Sequence, residues 1–177
     1  RLNMEFEKVL FLRHSVRSFK NQEVSKELVN KILIDGMSAP VSHKKYKDIQ
    51  FTVIEDKKYL ARLTELINES TSQYYNAPVV ILISSKESNI PNISEFNVAC
   101  IVENMLLCAT NHGLGSVFLT KFIYEINKNK DFRDTFQISN DSQVYAAVAI
   151  GYEENNNFLH TSYSLKNVEN RIPVQYF

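Results

Sequence analysis

Val98, Ile101, Val102, Met105, Leu106, Leu107 and Ala109 fall so close together that a helix built on them has almost no polar face. A helix apolar nearly all round must be enclosed, so the stretch 94–112 is expected at the centre of the molecule. Ser94 is of the residue type that caps a helix start. Gly113-Leu114-Gly115 marks the end, because glycine takes the left-handed backbone of a helix C-terminus without steric penalty.

Apolar runs around this helix read as strands. After a break at Asn76-Ala77-Pro78, the run Val79-Val80-Ile81-Leu82-Ile83 is branched throughout, which implies cover on both faces. Residues 144–152 form another buried run, 49–55 a further strand and 116–119 a short one. Helices are expected at 6–12, with Phe6, Val9, Leu10 and Leu12; from the cap Ser25 to Gly36, with Leu28, Val29, Ile32 and Leu33; and at 59–67, 123–127 and 131–136. The stretch 39–48 is too polar and too proline-interrupted for an element and reads as a loop. The tail 155–177 has little helical periodicity. There is no internal repeat, low-complexity tract or interdomain linker, so the reading is one α+β domain.

At 177 residues the chain can bury a core without disulfides or a structural metal. Its 20 Lys and Arg balance its 20 Asp and Glu, leaving no global field toward nucleic acid or an anionic membrane. Any anion site must be local. No apolar run is expected to cross a bilayer, and no signal-peptide pattern is seen. Cys100 and Cys108 lie in the central helix, about 12 Å apart along its axis at ~1.5 Å per residue, too far for a disulfide. Both are expected to pack in the core, and a reducing cytoplasm is the expected compartment.

Arg13-His14-Ser15-Val16-Arg17-Ser18-Phe19 sets two guanidinium groups, an imidazole and two hydroxyls just after the first helix. Arginine presents a planar fork of donors that stays charged at neutral pH, which suits phosphate oxygens. The same spacing also suits a solvated helix face. Other chemistries find less support. His14, His43, His112 and His160 are scattered and neither cysteine has a ligand-like neighbour, so no metal site is expected. Gly113-Leu114-Gly115 follows a helix, whereas a dinucleotide fingerprint precedes one. Ser15, His14 and Asp48 can be drawn as a hydrolase triad, yet nothing puts the serine on a strained turn. The tail aromatics Phe158, Tyr163, Tyr176 and Phe177 have no interleaved basic run and are expected to pack, not to stack on nucleic acid.

In chain order, four segments resemble the nitroreductase family of FMN-dependent oxidoreductases, across nearly the whole sequence. They are the Arg13 to Phe19 motif; Ala39-Pro40 with its polar loop and the Phe51 strand; Glu103-Asn104-Met105-Leu106-Leu107 running into Gly113-Leu114-Gly115-Ser116; and Ala147-Val148-Ala149-Ile150-Gly151-Tyr152 followed by Asn170-Arg171-Ile172-Pro173-Val174. The chain departs from the family pattern at Lys44-Lys45-Tyr46-Lys47, where an asparagine followed by Gln-Pro-Trp is usual. It departs again at Glu169, where some relatives carry a basic residue.

The resemblance implies a single nitroreductase-like domain over 1–177, with a central, mainly antiparallel sheet flanked by helices. It also implies an interlocked homodimer whose C-terminal segment reaches across to the other subunit. FMN is the implied cofactor, touched by Arg13, His14, Ser15 and Arg17, with Arg171 closing on its phosphate. His14 would act through its ring or only through its backbone. Pro40, Val41, Ser42 and Lys44 would line the flavin ring from the partner subunit, and Lys44 reads equally as part of a solvated basic loop. Thr120 and Lys121 follow a strand where the family places a backbone donor to the flavin. The implied activity is ping-pong: NAD(P)H reduces FMN and leaves, and a small electron acceptor such as a nitroaromatic or quinone takes its place. The chemistry belongs to the flavin, so no catalytic side chain is assigned. A flavin-binding protein for storage, sensing or assembly is the alternative.

Overall fold

Strand β2 (Val79–Lys86) is buried along all but its last residue, and its side chains alternate between two cores. Val79, Ile81 and Ile83 belong to one, Val80 and Leu82 to the other, as the period of two in a strand dictates. The computed structural model describes residues 5–67, 73–155 and 171–176, so Phe158, His160, Tyr163, Glu169 and Phe177 lie outside the described residues. β2 pairs with β1 (Ile49–Ile54) on one side and β4 (Ser142–Gly151) on the other. With β3 (Gly115–Leu119) they make an antiparallel sheet in the order β1-β2-β4-β3.

Helices α2 (Lys26–Met37) and α4 (Ile93–Asn111) cover one face of the sheet, through Val29, Ile32, Val98, Ile101, Val102 and Met105. Leu60 and Leu63 of α3 (Lys57–Ile67), Ile123 and Ile126 of α5 (Ile123–Lys128), and Phe132 of α6 (Lys130–Thr135) cover the other. α1 (Phe6–Leu12) lies against α4. Ile83 faces Ala146 while Ser84 faces Val144, so Tyr145 is the extra residue of a bulge. The expected α+β architecture with its antiparallel sheet and flanking helices is the one observed.

The central helix differs from its expected form in three ways. It begins at Ile93 after Asn92, whose φ is 60°, and Ser94 does not cap it: the Ser94 hydroxyl is buried and donates to Lys86 O at 3.2 Å. Its end is as expected, with Gly113 at φ 73° and Leu114 N–H closing onto Ala109 O at 2.9 Å. Second, α4 is not enclosed all round. Phe96, Ala99, Cys100 and Glu103 form an exposed stripe at helical spacing, Phe96 being 62% exposed. Cys100 is therefore not a core residue, whereas Cys108 is buried, and burial together with Asp35 pushes its thiol up to about 12. Third, α4 is by length and composition able to cross a membrane, contrary to expectation, yet half of that stretch is buried inside this molecule.

Gly36 does not end α2, which ends one residue later. It lies inside the helix because a Cβ there would come 2.6 Å from Met105 Cε, so it lets α2 and α4 approach closely. Ser25 caps α2 as expected, accepting from Leu28 N–H at 3.3 Å. β2 runs past Ile83 because the buried Ser84 and Ser85 hydroxyls donate to Gln50 O and Lys86 O.

At the far end of β2, Lys86 meets Asp141 at 2.9 Å. Hydrogen bonds from the Ser139 hydroxyl and from Lys86 pull the Asp141 carboxyl down to about 2. A depressed carboxyl contributes stability above its unfolded value of about 4, and that contribution is lost as pH falls toward the folded value. Asp141→Asn is therefore expected to melt slightly below the parent at pH 7, with the gap closing between about pH 4 and 2. Thermal melts across that range check it, and a constant gap would contradict the assignment.

Candidate functional site

α1 closes with Arg13 N–H on Val9 O at 2.9 Å, and the chain then crosses the ends of β3 and β4 as an extended strap, 13–20. Ser15 bridges Ser116, and Val16 N–H donates to Ser116 O at 3.0 Å. Phe19 bridges Glu153, Lys20 N–H donates to Tyr152 O at 2.8 Å, and Glu154 N–H donates to Ser18 O at 3.1 Å. Val16 and Phe19 are 2% and 8% exposed and enter the core shared with α3, α5 and α6. Ser15 and Arg17, on either side of the inward Val16, are exposed to solvent, and the alternation breaks before Phe19, which turns in again.

Two glycines allow the strap to lie this close. A Cβ on Gly115 would come 2.8 Å from Val16 Cγ2. One on Gly151 would come 2.6 Å from Pro78 Cδ and 2.9 Å from Phe19 Cδ1.

Carboxylates engage three of the motif's five polar side chains. Arg13 Nε lies 3.8 Å from Glu103 Oε1 on α4. The His14 ring has Nδ1 2.9 Å from Leu12 O and Nε2 3.0 Å from Glu153 Oε1. Ser18 donates its hydroxyl to Glu154. Arg17 makes no ion pair or side-chain hydrogen bond among the described residues, and Ser15 beside it is also exposed. The strap thus presents an uncommitted guanidinium and a hydroxyl, with a partly accessible Arg13 near them, which is a donor set for a phosphate-sized anion.

The remaining predicted residues lie on other segments of the chain. Pro40 and Lys44 are exposed, Val41 is buried, and Ser42 N–H donates to Asn97 Oδ1 of α4 at 3.0 Å. The 39–48 stretch contains two short 3-10 turns, Ser42–Lys44 and Tyr46–Asp48. His43 and Lys44 have φ of 53° and 56°, a left-handed backbone that costs a residue with a side chain about 1 kcal/mol or more. Thr120 and Lys121 are exposed just past β3, about 13 Å along that strand from Ser116 at ~3.3 Å per residue. Arg171 is exposed and forms no ion pair among the described residues. A groove of about 1670 Å³ lies between the start of α2 and α3, lined by Lys20, Lys57, Thr64 and Tyr74, and includes none of residues 13–17. Glu103, Glu153, Glu154 and Asn97 escape the sequence reading, since each meets its partner only through the fold.

The family described as "Putative TM nitroreductase" matches this chain over residues 5–173. A "Putative NADH dehydrogenase/NAD(P)H nitroreductase" of Archaeoglobus fulgidus is 27% identical over 147 residues, 82% of this chain and 83% of that protein. Among solved structures, a nitroreductase of Bacteroides fragilis with bound FMN superposes with a TM-score of 0.81 at 22% identity, covering 98% of this chain and 100% of that one. A "Putative NADH Oxidase" of Clostridium acetobutylicum gives 0.70 at 26% identity, covering 93% and 99%.

Proposed function

The chain belongs to the nitroreductase family, a family of oxidoreductases, and from that premise we propose that it binds FMN and uses NAD(P)H to reduce a small electron acceptor. The observation that carries the reading is the strap, with Arg17 and Ser15 turned to solvent and without a side-chain partner among the described residues. A phosphate monoester near neutral pH bears almost two negative charges and several acceptor oxygens, the complement of that donor set. Arg13, Ser15 and Arg17 hold the FMN phosphate, Arg171 closes on it, and His14 contributes through its backbone. Thr120 and Lys121 offer backbone donors. Pro40, Val41, Ser42 and Lys44 line the ring from a second subunit, Val41 through its main chain because its side chain is buried. When bound, FMN would supply two-electron redox chemistry, with NAD(P)H and the acceptor served in alternate half-reactions.

The test is a spectrum. Purified protein given FMN and dialysed is expected to stay yellow and to bleach anaerobically with NADH or NADPH. Colour that neither nucleotide bleaches would favour storage or sensing. Colourless protein would end the FMN reading. With both thiols free, the reducing cytoplasm is the proposed compartment.

The working unit is proposed to be a homodimer. Phe96, Ala99 and Cys100 of α4 and the 68%-exposed Phe6 of α1 offer an apolar surface. Ile172, Val174 and Tyr176 are exposed at alternate positions of the C-terminal segment, and β1 is an edge strand of the sheet. Light scattering is expected to give twice the 20.5 kDa chain mass. Phe96→Asp is expected to shift the protein toward monomer and make Cys100 more reactive to a thiol reagent. A parent that runs at one chain mass with full flavin occupancy would refute the dimer.

A further inference from the structure

We propose that His14 and Glu153 are a positioning pair that fixes the shape of the strap, and that the His14 ring does not itself touch the cofactor. The inference rests on the FMN reading above for its functional meaning. Each ring nitrogen already faces an acceptor, Leu12 O at 2.9 Å and Glu153 Oε1 at 3.0 Å. The neutral ring donates to one of these oxygens and the charged ring to both, and in either form a protein oxygen stands against each nitrogen, so neither is open to a ligand. One end of the ring is thus tied to the last turn of α1 and the other to the chain just past β4.

Glu153 holds the strap twice. Its side chain takes His14, and its main chain bridges Phe19. The segment between those two points carries Ser15 and Arg17, and its span is set by that double grip. The Glu153 side chain is only 11% exposed, so water competes poorly for the bond. The neighbouring Ser18–Glu154 bond is exposed and adds a weaker tie on the same side. A strap held in this form before FMN arrives has less conformational freedom to lose on binding, and affinity gains by that difference.

FMN fluorescence quenching by the apoprotein of the parent, His14→Phe, Glu153→Ala, their double variant and Glu153→Gln tests the pair. His14→Phe and Glu153→Ala are each expected to weaken binding about tenfold, and the double variant no more than either, because all three remove the same bond. Glu153→Gln keeps an acceptor oxygen and is expected to stay within about threefold of the parent.

Weakening by His14→Phe alone, with Glu153→Ala like the parent, would mean that the ring touches FMN and would overturn the proposal. Effects that multiply in the double variant would overturn it too. Amide hydrogen exchange of residues 15–18 in the apoprotein is a second readout that needs no cofactor: faster exchange is expected in Glu153→Ala and a near-parent rate in Glu153→Gln. If the parent binds no FMN, the cofactor reading fails and the pair is judged on exchange alone, where parent-like rates in Glu153→Ala would overturn it.

Discussion

Arg17→Ala is expected to weaken FMN binding by roughly 10- to 100-fold, the value of one charge-assisted hydrogen bond expressed as a ratio of dissociation constants. Arg17 is the motif's cation that no carboxylate engages among the described residues, so its loss removes a donor without releasing a buried partner there. The effect should therefore be confined to the ligand, with the apoprotein melting close to the parent. Arg171→Ala is expected to weaken binding in the same direction. Lys130→Ala, an exposed cation of α6, is the control expected to leave affinity unchanged. Titration of apoprotein with FMN decides the matter, and an Arg17→Ala variant that binds like the parent would remove the phosphate from this strap.

Gly151→Ala should act on the fold and the site together. The added methyl would stand 2.6 Å from the Pro78 ring and 2.9 Å from Phe19, neither of which can swing aside cheaply. Overpacking of this kind costs about 1–3 kcal/mol, so the melting temperature is expected to fall by several degrees. Relief by moving Phe19 would displace the strap, and FMN affinity should fall with it. An Ala variant with parent stability and parent affinity would show that the close approach constrains nothing.

Much of the fold was legible because burial writes itself into composition. The branched run of β2 could only be interior, and it is, whereas α4 is enclosed on one side and exposed along Phe96, Ala99 and Cys100 on the other. The errors fall where a residue's chemistry is answered by a distant group. Ser84 and Ser85 looked like a strand's end, yet their hydroxyls donate to main-chain carbonyls and the strand continues. Gly36 looked like a stop, and its purpose is the approach of Met105. Cys100 looked interior because a helical stripe of Phe96, Ala99 and Cys100 has the same composition whether it meets its own sheet or open surface.

The site divides in the same way. That Arg13, His14, Ser15 and Arg17 form an anion motif could be read from residue type and spacing. Which of them stay available could not, because Glu103 and Glu153 reach Arg13 and His14 from far along the chain, the latter 139 positions away. The stretch 39–48, read as a loop, holds two short 3-10 turns that its composition did not announce. Its attachment to α4 through Asn97 has no counterpart in any local pattern.

The strap also sets an order on biosynthesis. Residues 13–20 emerge from a ribosome well before the groups that hold them at β4, Gly151 to Glu154, which are made more than a hundred residues later. Until then the two guanidinium groups belong to a nascent segment held at β3 alone or not at all, and contacts so distant in sequence are slow to form. A ribosome-stalled chain ending before Gly151 is therefore expected to retain no FMN, whereas one in which Gly151 to Glu154 have cleared the exit tunnel should, which makes cofactor capture wait on the synthesis of β4.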